Sequence, residues 1–325
     1  MKVGLLFPAG RRDAEGYDRA LEHVRVAEQK GFSSAWLLEE RGASPFALAA
    51  AVAAETCALR IGVVTAAAMH HPLHLAEDGA VLDLLSGGRL IFAADPGAEP
   101  GEARGASPEE HWERFGEVLD IVVKAWSHEA FAYLGKVHRL PRLTRAASTT
   151  SPCVPEPYRP PYVLPWQRAG LPFDYLSVLP KPIQIPRPPV FVVARDARAV
   201  TLAARKGFSL FFGVEEPAEA LRDKARLYWR ELEGAGRERE EVLLAVASGI
   251  YVEEHGESAR RRVGGAPGRA LVGSPDEVFH AVKTLQEEAG VGHLVCALHL
   301  PGLSPDQALG SLDLFASAVA TRLEM

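Results

Sequence analysis

The stretch Leu59–Gly97, LRIGVVTAAAMHHPLHLAEDGAVLDLLSGGRLIFAADPG, decides the fold. Arg60 to Ala68 is β-branched and then small, the composition of a strand buried on both faces of a parallel sheet. His71-Pro72 ends it, with proline at a first helical position where the missing N–H has no partner to lose. Leu73, Ala76, Ala80, Val81 and Leu84 recur at helical spacing until Gly87-Gly88, and Leu90 to Ala94 is a second short apolar run. The stretch is one βαβ unit.

The same alternation continues outward. Lys2 to Pro8 reads as a strand, Tyr17, Ala20, Leu21, Val24 and Ala27 mark an amphipathic helix ended by Gly31, and Ser34 to Leu38 is the next strand. Ser44-Pro45 opens an alanine-rich helix to about Cys57. On the other side, Ser107-Pro108-Glu109-Glu110, Ser274-Pro275-Asp276-Glu277 and Ser304-Pro305-Asp306-Gln307 are capping-box patterns that start helices. Strands at Val3, Ala35, Ile61, Ile91, Val190, Leu210, Val246 and Val295, each followed by helical pattern, predict a (β/α)8 TIM barrel. It would span 1–325 as one domain. From Leu140 to Pro189, which holds thirteen of the 24 prolines, no helical period survives, so an irregular insertion at about 141–180 is expected, of the kind that covers a site. An open doubly wound sheet is the alternative, but no Gly-x-Gly-x-x-Gly follows any strand.

Composition narrows the function. A chain of 325 residues with a formal charge of −6 gives no support for binding nucleic acid or an anionic membrane surface. No run approaches the roughly 20 apolar residues of a membrane helix. Cys57, Cys153 and Cys296 are far apart and lack C-x-x-C spacing, which fits a reducing cytoplasm and argues against a zinc knuckle or disulfide framework.

HHPLHLAEDGAVLDLLSGGRL (70–90), with GFSSAWLLEE (31–40), LPKPIQIPRPPVFV (179–192), LVGSPDEV (271–278) and HLVCALHLPGL (293–303), resembles the bacterial luciferase-like, flavin-dependent monooxygenases. That resemblance implies a barrel binding reduced FMN as co-substrate, a small organic substrate, a separate flavin reductase and a homodimer. A deazaflavin-dependent hydride-transfer enzyme is the close alternative, and a non-catalytic barrel that lost the inherited site is another.

In a barrel the candidates for chemistry follow the carboxyl ends of the strands. Where the family commonly ends its second strand Glu-His-His, this chain has Glu39-Glu40-Arg41. Arg41 cannot cycle a proton near neutrality, so it either binds an anion or pairs with Glu39 or Glu40. Where the family places a flavin-contacting arginine, the chain has Asp95-Pro96, a carboxylate that would repel a phosphate unless compensated. After the fifth barrel strand Arg195 and Arg198 are candidate phosphate ligands, while Asp196 reads as a helix cap. His71 lines the pocket or caps its helix, and a metal site on His70, His71 and His74 would want a further ligand. Val64-Thr65 aligns with a segment that in some relatives carries a non-proline cis peptide beneath the flavin. The expected catalytic set is therefore Glu40, Arg41 and His71, with Val64, Thr65, Asp95, Arg195, Asp196 and Arg198 at the cofactor and no metal.

Overall fold

Each apolar run read as a strand pairs in parallel with its neighbour, and the last returns to the first. The computed structural model describes residues 1–7, 14–39, 44–97, 107–141, 175–264, 270–298 and 300–323. In chain order its elements are β1 (Lys2–Leu6), α1 (Ala14–Gln29), β2 (Ser34–Leu38), α2 (Pro45–Glu55), β3 (Arg60–Ala66), α3 (Pro72–Leu85), β4 (Leu90–Asp95) and α4 (Pro108–Ser127). They continue with β5 (Tyr133–Leu134), β6 (Arg139–Leu140), β7 (Val190–Val193), α5 (Ala197–Lys206), β8 (Ser209–Phe212), α6 (Ala218–Gly234) and β9 (Leu244–Val252). The last are α7 (Gly256–Val263), β10 (Leu271–Gly273), α8 (Pro275–Ala289), β11 (His293–Ala297) and α9 (Pro305–Phe315). Contacts divide the chain into two compact units: Met1–Thr65 with Arg89–Asp95 and Pro189–Met325, and Ala66–Gly88 with Pro96–Pro188.

The first unit is the barrel. Its eight strands run β1-β2-β3-β4-β7-β8-β9-β11, closed by β11 on β1 and by β8 on β9. A closed parallel barrel has no sheet edge, and its strands lack polar alternation because both of their faces are buried. Residues two apart along the strands, such as Ile91 and Ala93 or Phe191 and Val193, meet in one core with Trp36, Val64 and Phe211. Trp36 is fully buried, stacks on Phe211 at 4.8 Å between ring centroids and meets Phe191 edge-on at 5.3 Å. Its indole Nε1 donates to Ser34 Oγ at 2.9 Å, and that hydroxyl shares a 2.9 Å hydrogen bond with His293 Nε2. Burying a side chain of this size stabilises the barrel by about 5 kcal/mol.

The Ser-Gly-Gly-Arg turn has a physical reading. Gly87 and Gly88 take φ of +67° and +84°, values that disfavour any side chain, and end α3. Arg89 then caps α2, with Nη2 donating to Ala53 O at 2.9 Å and Nη1 to Thr56 Oγ1 at 2.8 Å and Leu59 O at 3.0 Å. Ser274 and Ser304 form the expected capping boxes on α8 and α9. Ser107 caps α4 only by accepting from Glu110 N–H, because the Glu110 carboxylate instead takes Arg114 at 3.3 Å. The strand pairing β10 on β9 and a short hairpin, β5 with β6, carry no period that the sequence reveals.

In the second unit α3 packs on α4, with Trp126 Nε1 donating to Ala76 O at 2.8 Å. The buried Asp83 carboxylate accepts from the backbone of Ile183 and Gln184 at 2.8 and 3.0 Å, and Lys181 Nζ donates to Ala125 O and His128 O. These bonds fix the LPKPIQIP motif. Glu117 gathers the N–H groups of Lys136, Val137 and His138 at 2.6 to 3.2 Å and so shapes the β5–β6 turn. The expected insertion falls largely on 142–174, outside the described residues. No helix among the described residues is long and apolar enough to cross a membrane.

Candidate active site

The carboxyl ends of the barrel strands carry three polar groupings, each built by strand register. At the end of β2, Glu39 N–H donates to Val64 O at 2.8 Å, which continues the ladder that pairs Leu38 with Val64. Thr65, buried, then donates from Oγ1 to Glu39 Oε2 at 2.5 Å. Val64 belongs to the barrel core, so period-two alternation places Thr65 on the opposite face of β3. Val64-Thr65, the candidate position for a non-proline cis bond, is not cis. Cis peptides among the described residues all precede proline, at Leu140-Pro141, Leu179-Pro180 and Ile185-Pro186.

The second grouping is an ion pair. Asp95 continues the inward set of Ile91 and Ala93 and meets Arg195 from the turn after β7. Arg195 Nε donates to Asp95 Oδ1 at 2.9 Å and Nη2 to Oδ2 at 2.6 Å, a bidentate fork. The Asp95 hydrogen bond, with help from Glu215, raises the Arg195 guanidinium further above its ordinary value, against a desolvation cost. The carboxylate that departs from the family pattern is thus compensated within the protein. Arg195, expected as a phosphate ligand, is held by Asp95 in this structure.

The third grouping orders the β7–α5 turn. Asp196 caps α5 by accepting from Ala199 N–H at 2.9 Å, leaving the N–H groups of Ala197 and Arg198 without an intrahelical partner. Arg198 is exposed and, among the described residues, has no ion-pair or hydrogen-bond partner. Lys224 on α6 donates to Ala194 O at 2.8 Å and Arg195 O at 2.9 Å and pairs with Glu216 at 2.9 Å, which fixes the turn's backbone. Sequence reasoning missed Lys224, since one lysine among the many charges of α6 carries no signal.

His71, in the second unit, is the N-cap of α3, its Nδ1 accepting from Leu73 N–H at 3.3 Å. The ring proton of the neutral form therefore sits on Nε2. His71 and His74 rings lie 5.3 Å apart; burial raises the Asp78 carboxyl, against the pull of His74 and His70. No group of three or more His, Cys, Asp or Glu residues able to hold a metal occurs among the described residues. Glu40, Arg41 and His299 lie outside them.

Comparison with known proteins places these observations in a family. The profile described as luciferase-like monooxygenase matches residues 1–292. The oxygenase component of a flavin-dependent trigonelline monooxygenase from Acinetobacter baylyi is 25% identical over 202 residues, 59% of this chain and 47% of that protein. The chain thus spans about half of this relative's length. Among the solved structures that share the fold are two that cover nearly all of this chain. One is the oxygenating constituent of 3,6-diketocamphane monooxygenase from Pseudomonas putida in complex with FMN, with TM-score 0.75 and 19% identity over 99% of this chain and 98% of that one. The other is the coenzyme F420-dependent tetrahydromethanopterin reductase from Methanopyrus kandleri, with TM-score 0.71 and 16% identity over 99% of each.

Proposed function

The chain belongs to the luciferase-like monooxygenase family, and on that premise we propose that it is a flavin-dependent oxidoreductase that oxidises a small organic substrate with reduced FMN and oxygen. The observation that carries this reading is the family match over residues 1–292 on a closed parallel barrel. A relative described as an oxygenase component supports delivery of the flavin by a separate reductase. The same reading makes the protein a cytoplasmic homodimer.

The donor set after β7 fits a flavin phosphate, though sparsely. Arg198 and the N–H groups of Ala197 and Arg198 at the positive end of α5 would hold it. Bound reduced flavin would supply two electrons to dioxygen, one oxygen atom entering the substrate and the other leaving as water. The chain's own part is to orient and to exclude water. Leu38, Val64 and Val193 line the apolar barrel interior, while Lys224 and Glu216 keep the β7–α5 turn in place. His71 holds a proton at Nε2 as long as its Nδ1 caps α3.

Titration of the protein with oxidised FMN, reduced FMN and the deazaflavin coenzyme, followed by fluorescence and absorbance, tests the reading. Saturable binding of FMN in either redox state supports it. Binding of the deazaflavin alone selects the hydride-transfer alternative, and binding of none leaves a barrel that has lost its inherited site.

A further inference from the structure

We infer that Asp95 sets how far this site distinguishes a phosphorylated flavin from an unphosphorylated one, by occupying the anion-binding fork of Arg195. The inference rests on the flavin reading above and concerns the phosphate end of the ligand. A guanidinium binds a carboxylate or a phosphate with the same pair of parallel N–H donors. Here Nε and Nη2 of Arg195 are both directed at Asp95, at 2.9 and 2.6 Å. The carboxylate is 13% exposed and the guanidinium 58%, so the acid is the fixed inner partner and the base the outer one. Asp95 thereby fills the place a ligand's anionic group would take on this arginine.

The neighbouring charges do not restore what Asp95 removes. Lys224 is paired with Glu216 and bound to two backbone carbonyls, and Glu215 faces Arg195. Asp196 occupies the Ala199 N–H and adds a carboxylate beside Arg198. A phosphate dianion at this turn therefore meets Arg198 and the α5 helix end against the carboxylates of Asp95, Asp196, Glu215 and Glu216. Most of the flavin's binding must come from its ring and ribityl chain, and the phosphate adds little. Replacing Asp95 by its amide keeps the shape, removes one negative charge and frees a bidentate donor.

The test compares dissociation constants of FMN and riboflavin for the full chain, D95N, R195A and D95N/R195A. The wild-type protein should bind the two flavins within about threefold of each other, and D95N should tighten FMN by about tenfold or more with riboflavin unmoved. R195A alone should not strengthen FMN relative to riboflavin and should weaken it modestly, because it leaves the Asp95 carboxylate uncompensated, and in the D95N background it should erase the gain. A wild-type preference for FMN of about a hundredfold that R195A abolishes would overturn the inference, because Arg195 would then leave Asp95 for the ligand. An unchanged ratio in D95N overturns it equally. If neither flavin binds any variant, the flavin reading fails on its own, and inorganic phosphate decides the seat. A larger rise of melting temperature with phosphate in D95N than in wild type, at matched ionic strength, supports the role of Asp95, and equal rises overturn it.

Discussion

Gly62 is a glycine because the Trp36 ring occupies the space its side chain would need: a Cβ there would overlap the indole Cδ2 and Cε3. G62A should destabilise the protein by about 1–3 kcal/mol through overpacking, read as a lower denaturant midpoint with an unchanged slope. An equal midpoint would mean that the barrel core relaxes around Trp36. Edge-on to that ring, 5.7 Å between centroids, lies His293, whose imidazole is pushed down to about 3 by burial, with Lys2 and Arg60 adding repulsion. In the unfolded chain it takes up a proton near its ordinary 6.5, whereas the folded chain does not until about 3. The unfolded state therefore binds more protons between those values, and stability falls as pH falls through that window. H293Q, which preserves a partner for Ser34, should flatten the pH dependence of the denaturant midpoint between pH 6.5 and 4 relative to wild type. Parallel curves would assign the acid limb to other groups.

At the scale of elements, the β5–β6 turn is held by one carboxylate. Burial works against ionisation of Glu117, yet the N–H groups of His138, Val137 and Lys136 together hold it below the ordinary carboxylate range. Its contribution is present above the unfolded value of 4.5 and is lost as pH falls through the lower folded value. E117A should speed hydrogen exchange at Lys136, Val137 and His138 by about tenfold at neutral pH, and exchange there unchanged would show that the turn stands without it. R89A should loosen the carboxyl end of α2 and lower stability by about 2–3 kcal/mol, since charged donors leave three buried acceptors. Elements of this kind divide by how local their signal is. The capping serines, Gly31, Gly87-Gly88 and the apolar runs were legible because a cap or a buried parallel strand is specified by a few adjacent residues. The hairpin held by Glu117, the cap made by Arg89 and the added strand β10 were not, because each depends on a partner 19 or more residues away.

For the whole molecule, eight apolar runs separated by helical pattern pointed to parallel strands buried on both faces, which a doubly wound sheet also satisfies; the missing Gly-x-Gly-x-x-Gly favoured the barrel, and the closure of β11 on β1 and β8 on β9 bears it out. The site was less legible. Its candidate positions followed from strand ends, but which charge meets which depends on register: Asp95 and Arg195, a hundred residues apart, neutralise each other, and Thr65 turns away from the core to Glu39. The Val64-Thr65 bond, singled out by resemblance alone, is trans. The central claim is that this barrel holds a reduced flavin while oxygen reacts. Stopped-flow mixing of the protein and reduced FMN with oxygen-saturated buffer tests it most directly: flavin absorbance should return with kinetics distinct from free reduced FMN and dependent on protein concentration until saturation. A return indistinguishable from free flavin at every protein concentration would contradict it.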